Sequence, residues 1–283
     1  MKKKFVIGVC LLLFMLLIVN ITSAHATGNT PSNIHVVKPG DYLGRIANKY
    51  GTTVKDLKVT NGLSSNLIYI GQKLKIPQNS FSVQGQYLLM TKEEFKNWLF
   101  NKRINRKISI IQQHHTWLPS YKQFNGSNHF TMLKGMENYH VKNMRWKNIA
   151  QNITTFPDGK IAVSRPLNIA PEGTIGTKAN SVGIAIENVG NFDIGKDVMT
   201  EEQKESIVYI TAVLCIKFGL TPSIDSITYH HWWNLKTGER VLDNAADYDV
   251  KTCPGTGFFG GNSTNSAIKH FYPLVERKIR EIK

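Results

Sequence analysis

His114 and His115 close an apolar run, His230 and His231 follow more than a hundred residues later, and Lys251-Thr252-Cys253-Pro254-Gly255 comes shortly after. One imidazole from each pair, with the lone thiolate, makes a donor set of two nitrogens and one sulfur. Structural zinc usually has four protein ligands, so three leave a position open for water, the arrangement in which Zn²⁺ acidifies a water and polarises a carbonyl. An ion shared by these residues would force three distant segments to meet, a severe demand on the chain path. Neither C-x-x-C nor H-E-x-x-H is present. The residues alone leave the choice within each histidine pair open.

Lys2-Lys3-Lys4 precede an apolar core from Phe5 to Ile21, and Ala24-His25-Ala26 offers a small-x-small cleavage pattern. Residues 1–26 read as a secretory signal peptide, with an uncleaved membrane anchor as the alternative. Its removal takes three lysines and no acids, lowering the formal net charge from +15 to +12. For an exported chain, that excess points to the polyanionic bacterial wall rather than to nucleic acid. The expected product is a secreted, wall-associated monomer with no stable membrane anchor. Cys215 and Cys253 remain, too few for a disulfide framework. Cys215 lies in a helical pattern and reads as a buried small hydrophobe.

The remainder is long enough for one small and one medium domain. In the first, residues 34–77, short strands at Ile34–Val37 and Gln72–Pro77 enclose two helical patterns. Leu43, Ile46, Ala47 and Tyr50 mark one buried face, and Thr53 with Asp56 caps the second helix. Residues 78–86 read as a polar linker, and 87–283 as the larger domain. There Thr91-Lys92-Glu93-Glu94 is a capping box before Phe95, Trp98 and Leu99. Thr200-Glu201-Glu202-Gln203 is another, before Ile207, Ile210, Leu214 and Phe218, with Gly219 as the stop. Strands are expected at 108–113, 148–155, 160–163, 182–189 and 227–229.

The βααβ segment, with Val37-Lys38-Pro39-Gly40-Asp41-Tyr42-Leu43 and Ile70-Gly71-Gln72-Lys73-Leu74, resembles a LysM domain. That resemblance implies a shallow groove for N-acetylglucosamine-containing glycans, formed by Gly40, Asp41, Tyr42 and Leu43 on one side and Leu67, Ile68 and Tyr69 on the other. Leu43 and Ile68 could instead fill the small core, and Tyr42 stands where the family usually has Thr or Ser. A single repeat should bind weakly and raise local concentration near substrate.

The stretch 108–261 resembles the zinc-dependent N-acetylmuramoyl-L-alanine amidases of type 2, which include peptidoglycan-recognition proteins. The landmarks are Ile110-Ile111-Gln112-Gln113-His114-His115-Thr116, Arg145-Trp146-Lys147-Asn148-Ile149-Ala150, Pro157-Asp158-Gly159-Lys160-Ile161, Ser181-Val182-Gly183-Ile184-Ala185-Ile186-Glu187, Tyr229-His230-His231 and Lys251-Thr252-Cys253-Pro254-Gly255. The resemblance implies an α/β domain with a mixed central sheet flanked by helices, and cleavage of the amide between N-acetylmuramic acid and L-alanine of peptidoglycan. It favours His114, His230 and Cys253 as ligands of Zn²⁺. It makes Glu187 the candidate general base, although the family's glutamate aligns nearer Ala185, and Lys251 the oxyanion partner. Gln151 stands where many relatives carry a catalytic tyrosine and can at most orient water or substrate. Gln151 and Trp232 are expected in the substrate cleft, a buried aromatic anchor being the equal alternative for Trp232. Rival readings are a non-catalytic peptidoglycan receptor, a muramidase, and a hydrolase using Cys253 as nucleophile with His230 as base.

Overall fold

The computed structural model describes residues 34–50, 52, 54–77, 81–244 and 247–283. The expected signal peptide, the cap at Thr53 and the start of the linker at 78–80 lie outside the described residues.

In the small N-terminal unit, β1 (Ile34–Val36) pairs antiparallel with β2 (Lys73–Lys75), and α1 (Leu43–Lys49) and α2 (Val54–Asn61) lie between them in sequence. Leu43, Ile46, Ala47, Leu57 and Leu74 form its core together with Val37 and Ile76. Asn61 at the end of α2 holds β2 through both its amide atoms, donating to the Lys75 carbonyl and accepting from the Lys75 N–H, each at 2.7 Å. Leu43, expected on the glycan side, is a core residue, and Ile68 packs against the same core. A core this small has few large apolar side chains to spend, so both are needed inside. Asp41 is also structural: it accepts from the Lys38 N–H and bonds His35, which in turn contacts the Tyr50 hydroxyl.

The larger unit is built on a seven-stranded mixed sheet of order β3-β4-β7-β6-β8-β5-β9. Its strands are β3 (Ser82–Gln84), β4 (Tyr87–Met90), β5 (Ile110–His115), β6 (Ile153–Thr155), β7 (Ile161–Val163), β8 (Gly183–Asn188) and β9 (Ile227–Tyr229). The expected linker at 78–86 is therefore too long, because Ser82–Gln84 is the edge strand of this sheet. β3, β4, β7 and β6 pair antiparallel, as hairpins allow, whereas β6, β8, β5 and β9 run parallel.

Side-chain alternation splits the sheet into two faces. Ile111, Ile153, Ile161, Val163, Ile184 and Ile186 point to the face covered by α3 (Lys92–Phe100) and α6 (Glu201–Phe218), with α8 (Tyr272–Ile282) packed on α6. Ala162 points the other way, to a second core under α4 (His129–Lys142), made with Tyr87, Met132, Leu133, Met136 and Phe156. The short α5 (Thr177–Ser181) precedes β8, and the one-turn α7 (Thr264–Ser266) leads through a π-turn stretch at Ala267–Phe271 into α8.

Both N-caps are found, but they differ. Thr91 and Glu94 make a complete reciprocal box at α3. At α6 the Thr200 hydroxyl accepts from the Gln203 N–H, while the Gln203 side chain leaves the box and enters the interior. Its amide donates to the carbonyls of Thr155 and Val189 and to the Thr155 hydroxyl, and its oxygen accepts from the Tyr121 hydroxyl. Gly219 ends α6 in the left-handed conformation at φ 68°. Replacing Gln203 by Leu keeps the bulk but strands these buried groups. We expect a loss of about 1–3 kcal/mol of unfolding free energy in urea titrations, and a loss under about 0.5 kcal/mol would mean that water replaces the amide.

Candidate metal centre

β5 lies between β8 and β9, and its register places His114 opposite Glu187, and Gln113 opposite both Ile186 and Tyr229. Residues in register on parallel strands share a face, so Gln112, His114, Ala185 and Glu187 all project to the side of the sheet that carries α4. The strand starts at Ile110 and continues through His115, two residues beyond the expected end. β9 then turns directly into a single 3₁₀ turn, His230–Trp232, which swings His230 over the same floor.

These paths bring three expected donors together. His114 Nδ1 and His230 Nδ1 are 3.1 Å apart, Cys253 Sγ lies 3.6 Å from His114 Nδ1, and all three donor atoms fall within 4.8 Å of one another. Tetrahedral Zn²⁺ with Zn–N near 2.0–2.1 Å and Zn–S near 2.3 Å requires N···N of about 3.3 Å and N···S of about 3.6 Å. The donor set therefore fits such an ion in both chemistry and spacing. Among the described residues it is the one His/Cys/Asp/Glu group with metal-binding spacing.

His115 and His231 do other work. The His115 ring turns to the opposite side, where its Nδ1 accepts from the Phe192 N–H at 3.1 Å, while the His115 backbone N–H donates to Cys253 Sγ at 3.3 Å. His231 donates its Nδ1–H to the Lys251 carbonyl, and its backbone N–H donates to the Cys253 carbonyl.

Burial sets the protonation states. It pushes His114 well below the ordinary imidazole value and His230 down to about 3, so both are neutral, as ligands must be. The Cys253 thiol, 5% exposed, is pushed well up by burial and then by the Glu187 charge. A divalent cation reverses that order and holds a thiolate. Burial likewise raises the Glu187 carboxyl to about 8, against the pull of the Lys251 ammonium. His230 Nε2 is buried without a partner.

The cluster forms the floor of a cleft of about 830 Å³ that Glu187, Lys251 and Thr252 also line. One wall comes from α4, through Met132, Met136 and Tyr139, and another from Trp146, Thr174 and the rim residues Trp117 and Leu118. The α4 wall escaped the sequence reading, although Met132, Met136 and Tyr139 stand at i, i+4, i+7 of a helical face. Trp146 is seated against Gly173, whose φ is +68° and whose added Cβ would fall 1.9 Å from the indole.

Two expected cleft residues are elsewhere. Gln151 is fully buried behind the wall, donating to the Thr154 hydroxyl and facing the Met136 sulfur, and it does not line the cleft. Trp232 is a core residue stacked on Tyr229 at 4.6 Å, with its indole N–H donated to the Asn262 carbonyl. In the small unit, Tyr42, Leu67 and Tyr69 are 59%, 61% and 65% exposed, and Gly40 turns the chain at φ +83°.

A family model described as "LysM domain" matches residues 35–77, and one described as "N-acetylmuramoyl-L-alanine amidase" matches residues 104–256, more than half of the chain. Among curated proteins, the probable peptidoglycan endopeptidase LytE of Bacillus subtilis is 56% identical over 46 residues, 16% of this chain and 14% of that protein. The N-acetylmuramoyl-L-alanine amidase sle1 of Staphylococcus aureus is 30% identical over 118 residues, 41% of this chain and 35% of that protein. The chain thus spans well under two thirds of the curated relatives it matches. Among solved structures, the endolysin amidase LysCS of Clostridium intestinale superposes with a TM-score of 0.41 at 19% identity, over 62% of this chain and 86% of that one. Drosophila PGRP-LB does so with a TM-score of 0.43 at 14% identity, over 59% and 84%.

The divided roles within each histidine pair give a direct test. After loading with Zn²⁺ and desalting, His114→Ala and Cys253→Ser should lose most of the bound metal by elemental analysis, while His115→Ala and His231→Ala retain about one equivalent when folded. Retention of full metal by Cys253→Ser would remove the thiolate from the ligand set.

Proposed function

The chain belongs to the N-acetylmuramoyl-L-alanine amidase family, and on that premise we propose that it is a secreted, wall-associated hydrolase cutting the amide between N-acetylmuramic acid and L-alanine of peptidoglycan. The observation that carries this reading is the convergence of two neutral imidazoles, a thiol, a carboxyl and an ammonium on the floor of one cleft. His114, His230 and Cys253 would hold Zn²⁺, whose Lewis acidity acidifies a water and polarises the scissile carbonyl.

The protein's own groups divide the remaining work. Glu187 stands on the strand beside His114 and on the same face, within reach of a water on the cleft floor. The charge of a bound cation, added to that of the Lys251 ammonium, would favour its ionised form against burial, and the carboxylate then takes the proton as the water oxygen adds to the carbonyl carbon and returns it to the nitrogen as the C–N bond breaks. The products are the lactyl carboxylate of the sugar and the free amine of L-alanine. Lys251 offers its ammonium to the negative charge that develops on the carbonyl oxygen. The apolar α4 wall and Trp146 exclude water from one side of the substrate. Gln151 takes no part, because it is enclosed behind Met136.

A cysteine-nucleophile mechanism is disfavoured by the burial that raises the Cys253 thiol, the reverse of the activation such chemistry needs. In the LysM unit, Tyr42, Leu67 and Tyr69 with Gly40 supply an exposed apolar surface for glycan, which keeps the catalytic unit near its polymeric substrate. Among the described residues no helix is long and apolar enough to cross a membrane.

Glu187→Gln should fold and bind metal yet release new amino groups from peptidoglycan about 10²–10⁴-fold more slowly, and Lys251→Ala about 10²–10³-fold more slowly. Turnover of Glu187→Gln within a few-fold of the wild type would make that carboxyl structural. Deleting residues 27–77 should weaken pelleting with intact walls while sparing hydrolysis of soluble muropeptide. Equal losses on both substrates would remove the proposed division between anchoring and catalysis.

A further inference from the structure

Two residues before His114 on the same face of β5, Gln112 is wholly buried and has all its polar atoms engaged. Its Oε1 accepts from His114 Nε2 at 3.3 Å and lies 2.8 Å from the Thr174 hydroxyl, while its Nε2 donates to Asn180 Oδ1 at 3.1 Å. Thr174 and Asn180, both buried, also bond each other. Turning the amide over would set its oxygen against the Asn180 oxygen, so Asn180 selects the orientation that offers an acceptor to His114. The neighbouring strand makes room for it: a Cβ added at Gly183 would fall 2.2 Å from Gln112 Nε2.

From this geometry, and resting on the metal reading above, we propose that Gln112 is a positioning residue that fixes the His114 ring and its tautomer, so that Nδ1 presents its lone pair to the metal. An acceptor at Nε2 holds the proton there and stops the ring from rotating. Gly183 belongs to the same device, since only a residue without a side chain leaves space for the oriented amide. Asn180 and Thr174 set the direction of that amide, so the lock reaches from α5 through β5 to the donor atom.

The experiment compares Zn²⁺ affinity of the full chain, by competition with a chromophoric chelator, for wild type, Gln112→Met, Gln112→Glu and Gly183→Ala, with thermal melting as the check on folding. Gln112→Met, similar in bulk but lacking a strong acceptor, should bind about 10–100-fold more weakly, and Gly183→Ala should follow it. Gln112→Glu restores an acceptor and should bind within a few-fold of wild type or more tightly. Wild-type affinity in Gln112→Met, or equal weakening in Gln112→Met and Gln112→Glu, overturns the proposal, since the first shows no lock and the second only packing. Nitrogen-15 spectra of the wild type decide independently of any variant: His114 should carry its proton on Nε2, and a proton on Nδ1 in the metal-free protein overturns the lock. A wild type that binds no Zn²⁺ takes down the metal centre itself, which separates that failure from the failure of the lock alone.

Discussion

The parallel register of β5 between β8 and β9 is the constraint on which the site depends. Strand side chains alternate with a period of two, so a slip of one residue would carry His114 to the α6 face and bring His115 over the cleft. Glu187 would then stand opposite the wrong histidine. The register is held from both sides: Ile111, Ile184 and Ile186 are buried under α6, and the polar residues of β5 find partners only in this alignment. Gln113 donates to the Thr211 hydroxyl of α6, and Asn188 of β8 donates to the Gln113 side chain and the His114 carbonyl. Apolar packing supplies most of the free energy, and the buried amides select among alignments that would bury similar area.

The sheet carries an unusual load of polar groups for an interior. Gln112, Gln113, Asn152, Thr154, Thr155, Asn188 and Gln203 are all fully buried. A buried amide without partners costs about 1–3 kcal/mol, and each of these has at least one. Gln112 and Gln113 lie within β5, Thr154 and Thr155 in β6 and Asn188 at the end of β8, while Asn152 just precedes β6 and Gln203 reaches in from α6. Asn152 receives the N–H groups of Ser164 and Arg165 on its carbonyl and donates its side chain to the Ile169 carbonyl. That side chain continues the backbone bonding into the loop that carries Thr174.

Legibility in the sequence followed how local each signal is. Thr91, Thr200 and Gly219 punctuate helices through contacts within a few residues, so α3 and α6 could be read from the chain. The strands bearing His114 and Glu187, and the one leading into His230, could be read from short apolar runs. The choice of His114 over His115 could not be made from periodicity, since parity names two faces without saying which is the cleft. That choice depends on α4, whose stripe is broken by Gly135 and divided between sheet packing and the cleft wall. Gln151 and Trp232 show the converse error: a polar residue near the site and an aromatic beside a donor suggest contact with substrate, but Gln151 finds a partner in Thr154 and Trp232 a stacking partner in Tyr229. At Leu43 the demand of a small core outranked the surface.

The third donor comes from a loop, which raises the question of how a loop can hold Cys253 as firmly as a strand holds His114. The segment 252–256 is tied to 192–194 along its length: Asp193 accepts from the Thr252 hydroxyl and the Thr256 N–H, Ile194 donates to the Thr256 hydroxyl, and Gly257 donates to the Phe192 carbonyl. Gly255, at φ +116°, lies so near that a Cβ would fall 2.5 Å from the Phe192 carbonyl oxygen, so a side chain there would drive the two segments apart. Phe192 is in turn held through its N–H by the His115 ring. The adjacent histidines thus serve the same centre from opposite faces of one strand, His114 by presenting a nitrogen and His115 by anchoring the segment against which the cysteine loop is fastened. Because successive strand residues point to opposite sides, a single dipeptide positions one candidate donor directly and another through the loop.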